Sequence, residues 1–576
     1  MGICRQERLR YFSTEHPATA FRLISSKHFT RALQDFDNCF HGRPKVPVND
    51  LSVTERGMFM KRTPSSFQQA LGHTTLVLIL LSCAWLIQGA DTGTRATVRP
   101  LKIDLDKAVS VDVPTVQKEL AATTFKLPDK RDGWVVRLPG NRPIATPAYA
   151  DGRLFVGGGY GSHEFYALDA KTGEKIWVLH TSDDGPTAAV VEDGCVAFNT
   201  ESCTVIVVDA KTGKLLWQEW LGDPLMSQPA IAKGRLFMAH PAGQPRANQQ
   251  MHVQGQNANT ANTQPPAHPA NNNGSRPKTS HRLLCAELKT GKHLWEADIT
   301  SDVISAPVIE GDQVFLTCFD GTSFCFQATD GKLVWRKANA GTSAPLLAEG
   351  KLLMMQKRYA GKDPQEGMVR VDPKAGEPQD KTLLAGGKAD YLQPGSEGNV
   401  ALKASHQKSL DSSVGFAQAP AAANLSAASG NVGVQSVVAG WAYQGARPAY
   451  SKGQMFNARG NLVNSVKSGN GEMAWQAEAV GKDVTENAHV FAPPALGQTN
   501  MYLCSAAGHL VGLRQSDGHV AFAYATKAPM AFQPALAEGR LFAGTSDGRV
   551  ICIDLEDKDA DGWYAWGGNA QHNKKQ

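Results

Sequence analysis

The sequence predicts an all-β chain folded as an eight-bladed β-propeller of four-stranded antiparallel blades, and three observations carry that prediction. The stretch ALDAKTGEKIW, Ala167 to Trp177, returns about forty residues later as VVDAKTGKLLW, Val207 to Trp217, and weaker copies close on Trp295, Trp335, Trp475 and Phe522. A Pro and then a Gly four or five residues on precede nearly every copy, as at Pro147 with Gly152, Pro229 with Gly234 and Pro534 with Gly539, which brings the count to eight. Composition agrees, because 55 Gly and 31 Pro beside only 20% charged residues suit short strands joined by tight turns.

One copy reads as four strands. TPAYADGRLFVGGG gives an inner strand, a turn at Asp151 and Gly152, and a second strand; HEFYALD gives the third, AKTG a turn, and EKIWVLH the fourth. A sheet of about forty residues cannot bury both faces alone, so the copies must stack around an axis. The turn Asp is expected to cap backbone N–H groups, Gly173 to take a positive φ, and the closing Trp to lie over the neighbouring blade. GWVVRLPG, Gly133 to Gly140, reads as a fourth strand without its first three, whereas Pro534 to Asp554 has three and no clear fourth. The N-terminal strand is therefore expected to complete the last blade, with GWYAW, Gly562 to Trp566, as its rival.

The propeller is assigned to residues 133–566, with a linker over 91–132 and a tail over 567–576. Two insertions interrupt the rhythm, one at about 241–280, rich in Asn, Gln and Pro, and one at about 386–439, less polar and a candidate cover or binding segment. Ahead of them TTLVLILLSCAWLI, Thr74 to Ile87, is too short for a membrane span of about 20 residues and has the length of a secretory core. Residues 58–90 read as a signal peptide or lipoprotein signal opened by Met58 and Met60. Residues 1–57 show no periodicity and read as a non-native extension from an early start. LLSC offers Cys83 for lipidation; cleavage near Gly89 or Ala90 and an uncleaved anchor are the alternatives. Each of these exports the body of the chain.

Several chemistries are set aside by composition and motif. A net charge of +5 with no basic stripe gives no nucleic-acid footprint. Ten cysteines, seven after residue 90, include no C-x-x-C and no adjacent pair. Cys318 with Cys325, and Cys195 with Cys203, are spaced for hairpin pairing, while Cys285, Cys325 and Cys552 stand in the slot of Ala167, where a small buried side chain suffices. Asp557, Asp559 and Asp561 form D-x-D-x-D-G, the opening of a calcium loop, but Gly568 stands where the bidentate Glu belongs, and a solvated acidic turn is the competing reading. His240 and His281 flank the first insertion and lack a third ligand.

The pattern A-x-D-x-x-x-G-x-x-x-W is met by Ala167, Asp169, Gly173 and Trp177, nearly by Asp209, Gly213 and Trp217, and in part by Gly291 with Trp295, Gly331 with Trp335 and Gly471 with Trp475. It resembles the tryptophan-docking motif of the pyrroloquinoline quinone (PQQ) repeat family, which implies a docking role for these residues. Within that family the quinoprotein dehydrogenases hold PQQ with calcium and use an Asp base, commonly beside a vicinal disulfide; no such set can be carried over here. The BamB-like outer-membrane assembly lipoproteins are eight-bladed, non-enzymatic and periplasmic. The resemblance implies an exported scaffold, periplasmic or associated with the outer membrane, with envelope or outer-membrane proteins as partners and no cofactor. A PQQ- and calcium-dependent dehydrogenase is the alternative.

Overall fold

The computed structural model describes residues 100–200, 203–222, 228–242, 281–318, 320–338, 340–341, 343–360, 363–383, 449–459, 461–470, 472–484 and 490–569. They form eight sheets of four or five strands. Blade 1 runs outward in chain order through Ala148–Ala150, Arg153–Gly157, Glu164–Asp169 and Lys175–His180, every neighbour antiparallel. Blades 2 to 7 repeat this order over 190–220, 230–299, 308–337, 346–383, 449–480 and 495–525. Blade 8 takes its first three strands from Ala535–Ala537, Arg540–Gly544 and Arg549–Asp554, and its fourth from Asp132–Arg137. Cys552 stands opposite Trp134 and Val550 opposite Val136, so strands from the two ends of the described chain share one sheet. The eight inner strands abut one another in an unbroken ring.

Local chemistry explains each blade. The first hairpin turns on Asp151 at φ 47° and Gly152 at φ 72°, the paired positive angles of a tight turn whose twist matches the strands. Middle strands such as Cys195–Asn199 are buried along their whole length because both faces of the sheet meet another blade. Between blades the decisive contact is a tryptophan laid on a glycine. Trp134 rests on Gly173, Trp177 on Gly213, Trp217 on Gly291, Trp295 on Gly331, Trp335 on Gly376 and Trp475 on Gly518. A Cβ on Gly213 would stand 2.6 Å from the Trp177 ring, and φ is 71° there, so both space and backbone demand glycine. Each indole N–H also donates to a carbonyl of the next blade, as Trp217 does to Leu288 at 2.7 Å and Trp475 to Gln515 at 2.8 Å. Asp169 shapes the receiving turn by accepting the backbone N–H groups of Lys171 at 2.9 Å and Thr172 at 2.8 Å.

The segment read as a linker carries strands over its described part. Leu101–Asp104 lies parallel to the outer strand of blade 6, with Leu101 opposite Ala477. Val109–Ser110 lies parallel to that of blade 7, and Thr123–Lys126 pairs antiparallel with Asp132–Arg137 on blade 8. Alternation drives this strap onto the rim: Ile103, Leu105 and Val111 are 1%, 6% and 1% exposed, while Lys102 points outward. The expectations for residues 1–57, the signal over 58–90, Cys83, Gly471, and most of the two insertions, over 243–280 and 384–448, lie outside the described residues.

Burial ranks the docking tryptophans. Trp475 on blade 6 is 4% exposed, whereas Trp177 on blade 1 is only partly buried. Trp475→Ala should cost about 3–5 kcal/mol and Trp177→Ala clearly less, read by urea unfolding. Equal losses would contradict this ranking.

Candidate functional site

The inner strands turn a free edge toward the propeller axis, and the chain's own C-terminal segment occupies part of it. Leu536 N donates to Trp563 O at 2.7 Å, Trp563 N returns a bond to Leu536 O at 3.2 Å, and Tyr149 N donates to Tyr564 O at 2.5 Å. Leu536 and Tyr149 sit between residues paired to their second strands, so these bonds leave from the axial side. GWYAW is thus a wedge joining blades 8 and 1 from within, while Asp132–Arg137 provides the outer closure. In the wedge Trp563, Ala565 and Trp566 are 3%, 6% and 2% exposed, Trp563 clustering with Leu536 and Ala565 with Ala148. At the far end Gln533 ties the wedge down: its Oε1 accepts Gly567 N at 2.9 Å, its amide donates to Pro494 O at 2.8 Å, and its carbonyl accepts Thr146 Oγ1 at 2.8 Å.

The acidic turn leads into this wedge, and the carboxylates of Asp557 and Asp561 are engaged locally. Asp557 accepts Asp559 N at 2.9 Å and the Tyr502 hydroxyl at 3.3 Å; Asp561 accepts Glu538 N at 3.1 Å and the Tyr564 hydroxyl at 3.3 Å. Burial pushes the Tyr502 hydroxyl well above its ordinary pKa, which keeps it a donor. Among the described residues no group of three or more His, Cys, Asp or Glu is placed to hold a metal ion.

His240 and His281 lie on neighbouring strands but out of step. His240 stands opposite Arg282 and His281 opposite Pro241, so the two rings leave opposite faces of blade 3. On one face a charged network crosses to blade 2: His293 touches Glu219 at 2.7 Å and Glu296 at 3.4 Å, and Arg282 reaches Glu296 at 3.1 Å. The seven described cysteines are buried thiols, none of them in a disulfide. Cys325 stands opposite Phe315 and Cys318 bridges Val303, so the hairpin spacing does not bring that pair together. Burial pushes the thiols of Cys285, Cys318 and Cys325 up to about 12. They serve as small core residues.

The rim is uneven. Blades 6, 7 and 8 carry a fifth strand from the strap, whereas blades 1 to 5 have four among the described residues. The outer strand of blade 1, Lys175–His180, reads K-I-W-V-L-H with none of its residues fully buried, and that of blade 2, Leu215–Trp220, reads L-L-W-Q-E-W.

A family model described as outer membrane protein assembly factor BamB matches residues 121–244, 163–279, 275–391 and 459–569, more than half of the chain. The chain belongs to this PQQ-like, BamB-like β-propeller family. The outer membrane protein assembly factor BamB of Burkholderia pseudomallei is 25% identical over 240 residues, 37% of this chain and 61% of that protein. A tetrathionate hydrolase of Acidithiobacillus ferrooxidans is 26% identical over 221 residues, 37% of this chain and 38% of that protein. The matches therefore span less than two thirds of these relatives. Among solved structures, BamB from Moraxella catarrhalis is 13% identical with a TM-score of 0.45, covering 75% of this chain and 98% of its own.

A raised thiol pKa disfavours the thiolate that alkylating reagents attack. At about pH 8, iodoacetamide should leave Cys285, Cys318 and Cys325 unmodified in the folded chain and modify them after denaturation. A Cys318–Cys325 disulfide peptide in the mass spectrum would contradict the free-thiol assignment.

Proposed function

We propose that the chain is an exported, non-catalytic scaffold for protein interaction in the cell envelope, BamB-like, periplasmic or associated with the outer membrane. The observation that carries this reading is the wedge. A segment of the chain itself lies along the axial edge of blades 8 and 1, and the repeat residues are consumed by docking, so binding falls to the rim and the face loops. The family match and the relatives named as assembly factors support the same reading and suggest outer-membrane assembly proteins as partners. A lipid on Cys83 or an uncleaved N-terminal segment would hold such a scaffold at the membrane. The tetrathionate hydrolase is a reminder that this fold also serves enzymes, so fold alone does not decide.

Titration with PQQ and calcium, followed by heat and absorbance, separates the scaffold from a quinoprotein dehydrogenase. The scaffold reading expects no binding tighter than about millimolar and no dye reduction with alcohols or aldoses. It also expects affinity capture from solubilised envelopes to enrich an outer-membrane assembly protein. Micromolar PQQ binding with turnover would overturn it.

A further inference from the structure

We propose that the outer edges of blades 1 and 2 dock an extended strand of a partner polypeptide, one with apolar residues at alternate positions. The inference rests on the scaffold reading and names its contact. The chain supplies the template. On blades 6 and 7 the strap adds parallel strands to the outer edge, and its apolar residues Ile103, Leu105 and Val111 are buried against the blade core. Trp475 belongs to the same apolar cluster and is 4% exposed.

Blades 1 and 2 share that architecture without the strap. Their outer strands pair inward by the same antiparallel register and dock the same tryptophans on the next blade. Along the outer edge no further strand is present among the described residues. The sequence there suits pairing: Ile176, Trp177, Val178 and Leu179 follow one another with no charge or proline between them, and Ile176 and Leu216 are 42% and 38% exposed. Native edge strands are ordinarily blunted by charge, proline or cover. Blades 3 and 4 expose apolar side chains as well, Leu294 at 41% and Leu333 at 54%, but set Glu296, Asp298, Arg336 and Lys337 on the same outer strands. Blade 1 keeps Lys175 and His180 only at the ends, and the one acid on the blade 2 strand, Glu219, is paired with His293. A strand edge with no described strand against it offers backbone donors and acceptors that another backbone satisfies best, beside half-buried aromatic and branched side chains that grip alternate residues.

The probe is a fluorescein-labelled peptide of strap sequence, residues 101–111, added to the full chain, with a control peptide carrying N-methyl groups at alternate amides. Saturable binding is expected, with slowed amide exchange at 175–180 and 215–220, and no binding by the methylated control. Ile176→Glu combined with Leu216→Glu should weaken binding about ten-fold or more while melting stays unchanged. Slowing confined to 473–480 and 520–525 would mean exchange with the chain's own strap and would overturn the proposal. So would equal binding by the methylated peptide, or a solution dimer in which 175–180 is already protected. If the double variant loses the peptide but still captures the envelope partner of the wild type, the edge is not the scaffold's contact. If the wild type binds the peptide at this edge and captures no envelope protein, the edge stands and the scaffold reading fails.

Discussion

The contact on which the ring depends is an indole lying on the backbone of a glycine in the next blade. Six described pairs, from Trp134 on Gly173 to Trp475 on Gly518, use it. It answers two demands at once. The tight turn needs a positive φ, which glycine adopts without strain, and the missing Cβ opens a flat seat for the largest apolar side chain. The indole N–H then finds a carbonyl on the same neighbour, so no polar group is lost in the contact. Because tryptophan and glycine belong to successive repeats, each blade is fixed only by the one beside it, and the whole becomes stable when the ring closes.

Closure is made twice, from opposite sides. Outside, Asp132–Arg137 completes the last sheet and Trp134 reaches Gly173 of the first. Inside, Trp563 and Tyr564 bond the inner strands of blades 8 and 1. Together they take up both sheet edges at the seam and part of the axial side. Among the described residues the rim keeps exposed apolar side chains on several outer strands, Ile176, Leu216, Leu294 and Leu333 among them, and on blade 1 they run from Ile176 to Leu179 with no charge between them.

The propeller was legible because docking requires fixed spacing: Asp169, Gly173 and Trp177 must recur together to build one seat, so copies stay in register even when degraded. The copy VRVDPKAGE reads as a front half alone, with Asp380 where the aromatic belongs, yet its Gly376 still receives Trp335. Trp134 was legible as part of the closing strand Gly133 to Gly140, and its seat on Gly173 follows once that strand completes the last blade. The strap was hidden for another reason. Its strands are two to four residues long, too short for period-two alternation to stand out, and their pairing is decided by the rim they meet. The wedge was readable as a rival closing strand, but its position was not, since that depends on bonds to the axial side of Leu536 and of Tyr149, the latter far away in sequence. The hairpin spacing of Cys318 and Cys325 likewise pointed to a pairing that the register places elsewhere.

A double-mutant cycle on Trp177 and Gly213 addresses the docking contact most directly. If the glycine is needed chiefly to seat the indole, Gly213→Ala in the Trp177→Ala background should be about 1–3 kcal/mol less destabilising than in the wild type, read by urea unfolding, with only the backbone cost of the positive φ remaining. Losses that add to within about 0.5 kcal/mol would show that the two residues act independently and would contradict the account.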